Sequence, residues 1–157
     1  MTGCTQRDRA AELREAMASA RAKLRSCLPT SAPTPPLRLA MASVSREPEE
    51  TSVRLVAYAI GEAADFDLPL YFMSRGRWLI AERGRAYLLD EECREYKLKD
   101  KRVTAGQAPA KDGRVHLKPG EAFEVTLSFP RLPDQVREGA LVYGTWVLPF
   151  SLLLEAR

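Results

Sequence analysis

The chain has 157 residues, 45% apolar and 29% charged, with a formal net charge of +3. That length suits one domain plus an appendage, and the apolar fraction suffices for a core. A charge this small does not argue for nucleic-acid binding, no apolar run approaches the roughly 18 residues of a membrane span, and residues 1–30 hold no apolar signal-peptide segment.

Residues 5–28 read as a helix. Thr5 offers an N-cap with Asp8 three residues on, a capping-box spacing. Ala10, Leu13, Met17, Ala20, Leu24 and Cys27 then follow at intervals of 3, 4, 3, 4 and 3, which places them on one stripe. Arg7, Arg9, Arg14, Arg21, Lys23 and Arg25 fall largely off it. Pro29 disfavours helical geometry at Leu28 and ends the helix. The stripe has coiled-coil spacing over about two and a half heptads, short of a sustained repeat. Packing on the protein's own sheet is the expected use. Docking on a partner helix, on a second copy or on a membrane surface are the alternatives.

Residues 29–36, "PTSAPTPP", carry four prolines and read as an extended, semi-rigid linker between helix and domain. From residue 37 the pattern is all-β. "LRLAMASV", "VRLVAYAI", "LPLYFM", "RWLIAE", "RAYLLD", "EYKL", "RVHL" and "AFEVTLSF" are short runs separated by turn signals, and "ALVYGTWVLPF" follows them. "KDKRVTAGQAPAKDG" reads as a long polar loop. About eight or nine short strands with regular turns predict an antiparallel sandwich. The expected organisation is a tether and helix over 1–28, a linker over 29–36 and a β-sandwich over 37–157.

Within "VHLKPGEAFEVTLSFPRLPDQVREGALVYG", a strand ends in a turn centred on Pro119 and Gly120. The next strand places Phe123, Val125, Leu127 and Phe129 on one face. This stretch resembles the late strands of bacterial immunoglobulin-like sandwiches in small exported proteins and lipoproteins. The resemblance spans roughly residues 37–150 and implies a fold and an envelope location. Antibody-type Cys and Trp landmarks are absent from it.

Thr2–Gly3–Cys4 resembles the end of the lipoprotein cleavage motif, whose cysteine receives lipid, although the upstream leucine and apolar segment are not in the sequence. The resemblance implies Cys4 as lipidation candidate, a protein whose helix and Pro-rich stretch hold the sandwich off a membrane. Three cysteines leave at least one outside any intramolecular disulfide. In an exported protein Cys27 and Cys93 are the candidate pair; in a cytosolic one all three are thiols.

The residues that bear chemistry are few. His116 is the only histidine and alternates with Val115 and Leu117, which points it to the opposite, solvated face. No nucleophile elbow and no phosphate-binding glycine loop is present. Asp90, Glu91, Glu92 and Glu95 cluster at a turn, but their spacing fits no calcium loop. Lys97, Lys99, Lys101, Arg102, Lys111, Arg114 and Lys118 outnumber Asp100 and Asp112 across residues 97–118, as expected for a protected sheet edge and solvated loop, with contact to phosphates or anionic lipid head groups as the alternative. No catalytic residue, metal or cofactor is expected. The reading is a non-catalytic accessory or scaffold module of a bacterial envelope assembly that binds a protein partner, with Leu13, Met17, Leu24, Trp78 and Trp146 as candidate contact residues, the two tryptophans being expected in the core and marking a partner site where exposed. The alternative is a soluble cytoplasmic binding or inhibitor module of the same fold.

Overall fold

The computed structural model describes residues 6–69, 71–80 and 84–152. Among them, helix α1 (Gln6–Arg25) precedes the strands β1 (Leu37–Arg46), β2 (Glu50–Ala59), β3 (Ala64–Asp67), β4 (Tyr71–Ser74), β5 (Arg77–Ile80) and β6 (Ala86–Asp90). There follow β7 (Glu95–Lys97), β8 (Asp100–Ala105), β9 (Arg114–Leu117), β10 (Ala122–Pro130), β11 (Glu138–Tyr143) and β12 (Trp146–Ser151). The protein is mainly β, with one N-terminal helix.

Two four-stranded sheets, in the orders β1-β2-β10-β8 and β12-β11-β6-β7, make a β-sandwich. Every paired neighbour is antiparallel. Two short ribbons, β3-β9 and β4-β5, complete the strands. Alternation drives the packing: Val53, Leu55 and Ala57 of β2 point inward beside Phe123, Val125, Leu127 and Phe129 of β10. They share one core with Leu88, Leu141, Tyr143, Trp146 and Phe150 of the second sheet. The second sheet has another apolar face, where Leu89, Ala140 and Val142 pack under Leu24 of α1. β11 is therefore buried on both faces, which explains why its sequence shows no polar alternation.

Four features depart from the sequence expectation. The long polar loop contains edge strand β8, whose backbone pairs with β10 while most of its side chains face water. An edge strand held this way needs no apolar alternation. "ADFD", which lies between the runs "VRLVAYAI" and "LPLYFM" and is not among the expected strands, is β3, paired with β9 through Asp65↔His116 and Phe66↔Val115. "ALVYGTWVLPF", which the sequence left undivided, is a hairpin that turns at Gly144, φ +57°.

The fourth is the Pro-rich stretch, which lies along the fold. The Ala32 amide donates to Thr145 O at 2.8 Å, and Thr145 Oγ1 donates to Ala32 O at 2.7 Å. The Val147 amide donates to Ser31 Oγ at 3.1 Å, and Trp146 Nε1 to Thr34 Oγ1 at 3.3 Å. The prolines have no amide to offer, so the donors in this arrangement come from Ala32, Thr145 and β12. The segment thus covers the start of edge strand β12, and Pro149 removes an amide further along it.

Candidate functional site

The most informative surface is where α1 meets the second sheet. Three kinds of contact fix it. Leu24 is 3% exposed and seals the apolar patch of Leu89, Ala140 and Val142. Arg21 Nε donates to Glu138 Oε1 at 3.1 Å, and Ser151 Oγ lies 2.9 and 2.8 Å from the two Glu138 oxygens. Glu138 is buried, so these bonds compensate a desolvated carboxylate. Finally, Cys27 is disulfide-bonded to Cys93 across a Cα separation of 5.8 Å.

Asp90 shapes the loop that presents Cys93. Its Oδ1 accepts from the Glu92 and Arg94 amides at 2.9 Å each, and its Oδ2 from Tyr96 Oη at 2.7 Å. These bonds hold Cys93 at φ +64°, a conformation rare outside glycine. Burial, then the Asp90 hydrogen bond, pushes the Tyr96 phenol up to about 12. The acidic cluster is therefore an Asp90-centred turn. Among the described residues no group of three His, Cys, Asp or Glu side chains is placed to hold a metal ion.

The candidate contact residues separate by burial. Leu24 does not face a partner: the sheet has taken its surface. Trp146 is 8% exposed, sits in the core and spends its indole N–H on Thr34, so it also serves the fold. Met17 is half-buried, and Leu13 leaves 38% of its surface exposed. Trp78 lies on β5, opposite Met73, and its side chain is outside the described ones. Cys4 also lies outside the described residues.

His116 is exposed, with Nδ1 2.7 Å from Asp65 Oδ1, while Val115 and Leu117 are buried. Arg114 Nε donates to Asp67 Oδ1 at 3.0 Å. A cleft of about 330 Å³ opens beside these carboxylates, lined by Thr34, Leu37, Phe66, Tyr143 and Trp146. A second, of about 300 Å³, runs between α1 and β12, with Leu24, Leu28, Pro149 and Phe150 as its apolar floor and Arg21 and Arg25 on its helix side. Among the described residues no helix is long and apolar enough to cross a membrane.

Sequence reasoning missed Glu138, Asp90 and Thr145 as organisers. Glu138 carried a signal, a carboxylate directly before the apolar run "GALVY". Arg21 showed only as a residue off the apolar stripe, because its partner lies 117 residues away.

No protein-family model matches the chain, and no curated protein or solved structure matches it.

Proposed function

We propose that this chain is a non-catalytic accessory protein of a bacterial cell envelope, with an immunoglobulin-like sandwich that binds another protein and a lipid anchor on Cys4. The observation that carries this reading is the Cys27–Cys93 bond between helix and sheet. Disulfides of this structural kind persist in oxidising compartments and are rare where thiols are kept reduced. The sandwich supplies binding surfaces at strand edges and at the covering helix. The non-catalytic part rests on commitment: Asp65, Asp67, Asp90 and Glu138 each have hydrogen-bond partners within the fold.

Intact mass of the protein taken from its native membranes, with and without reductant, tests the reading. The expected result is a chain starting at Cys4 with two or three acyl groups, plus a gain of two hydrogen atoms on reduction of the one disulfide. An unmodified chain from the soluble fraction, carrying Thr2 and three free thiols, would overturn it and favour a cytoplasmic binding module.

A further inference from the structure

The apolar stripe of α1 is used in two different ways. Its C-terminal part, Ala20 and Leu24, is buried against the second sheet, and Cys27 is bonded to Cys93. Its N-terminal part, Ala10, Leu13 and Met17, continues the same line with rising exposure, Ala10 being exposed and Leu13 38% exposed. The stripe therefore runs off the sheet as a short seam with coiled-coil spacing, held in place by the anchored half.

Charge around this seam is one-sided. With Ala10 and Met17 at a and Leu13 at d, the e and g positions beside the exposed half are Arg9, Arg14 and Ala16; further along, Arg21 and Lys23 are already paired with Glu138 and Glu92. The acids Asp8, Glu12 and Glu15 fall at the outer c and f positions. A second copy of this helix, parallel or antiparallel, would set arginine against arginine along the flanks. Like charges across such a seam oppose pairing, and acidic flanks complete it. The exposed area is also small and alanine-rich, which suits a narrow helix-to-helix contact more than insertion into a bilayer.

We propose that the Ala10–Leu13–Met17 face of α1 docks an amphipathic helix of a protein partner whose apolar stripe is flanked by Asp and Glu. This names the partner chemistry within the function proposed above and rests on that reading. The anchored half of α1 gives the seam a fixed direction before the partner arrives, so little ordering cost falls on binding.

The test uses the full oxidised chain and two labelled synthetic helices. Both carry leucine at a and d; one has glutamate and the other lysine at e and g. The glutamate helix is expected to bind at least about tenfold tighter, with an affinity that falls as salt rises. The Arg9→Glu/Arg14→Glu variant is expected to invert that preference, and Leu13→Asp to abolish binding of either helix. Both variants change exposed residues, and circular dichroism of each checks that the fold is retained. Equal binding of the two helices, no binding, or a preference that survives the charge reversal would overturn the proposal. So would self-association in sedimentation equilibrium that Leu13→Asp breaks, or binding to phosphatidylglycerol vesicles that Arg9→Glu/Arg14→Glu abolishes. Cross-linking in native envelopes separates this proposal from the broader one. A neighbour still captured by both variants leaves the binding-module reading in place and removes the helix face from it.

Discussion

Breaking the Cys27–Cys93 bond offers the sharpest check on how the helix is held. The two cysteines are 66 residues apart, so the bond closes a loop that includes β1 to β6. Chain-entropy arguments put the stabilisation from a loop of that size at about 4 kcal/mol at 25 °C, acting through the unfolded state. With a urea m-value on the order of 2 kcal/mol/M, the Cys27→Ser/Cys93→Ser variant should unfold at a midpoint about 2 M lower, and the m-value should barely change. Reducing the wild-type chain should give the same shift. On chain produced without the lipid on Cys4, thiol titration in denaturant should find one reactive cysteine before reduction and three after it. A midpoint unmoved by both treatments would refute the reasoning, because the bond would then constrain nothing the unfolded chain explores. A shift seen only in the double variant would implicate the serines and not the lost bond.

Other perturbations probe separate parts of the fold. Alanine at Gly139 would bring its Cβ to 2.6 Å from Phe150 Cζ and 2.9 Å from Leu89 O; Gly139→Ala should cost about 1–3 kcal/mol by overpacking, measured by urea unfolding, and a neutral result would mean Phe150 swings aside freely. The Tyr96 phenol titrates higher in the fold than the ordinary value of 10.0. Folded Tyr96 therefore keeps its proton where the unfolded chain loses it, so its stabilisation is complete below pH 10.0 and disappears as pH approaches about 12. Asp90→Asn should lower the Tyr96 value but leave it above 10.0, since burial is the larger cause. Tyrosinate absorbance against pH reads this directly, and an unshifted curve would separate Tyr96 from Asp90. Thr145→Val removes the donor to Ala32 O and should cost about 1 kcal/mol. Hydrogen exchange at the Ala32 amide should quicken with it; unchanged protection would show that the Pro-rich stretch is held by other bonds.

The legible parts of this fold were those where one side chain in two meets the core. β2, β9 and β10 alternate cleanly, and their sequences report it. The helix was legible for the same reason at a different period. β8 was hidden because its pairing is carried by backbone amides and carbonyls, which every sequence possesses. The Pro-rich stretch misled by composition: prolines cannot donate, but Ser31, Ala32 and Thr34 between them can bond to β12 and Thr145. The candidate contact residues of the helix differ in burial. The spacing of Leu13, Met17 and Leu24 defined one stripe, but where the sheet beneath it stops is a property of the tertiary arrangement, and only that boundary separates buried Leu24 from exposed Leu13.

The position of the disulfide also decides how the molecule would bear load. Tension applied between α1 and the end of β12 would pass from Cys27 straight to Cys93 and on into the second sheet. The chain between them, 66 residues or about 230 Å of contour, would be bypassed and could not pay out. β1 and β2 lie inside that bypassed length, so half of the first sheet carries no direct pull while the bond is intact. Reduction would put β1 and β2 back into the path of that tension, so that their unfolding could lengthen the connection.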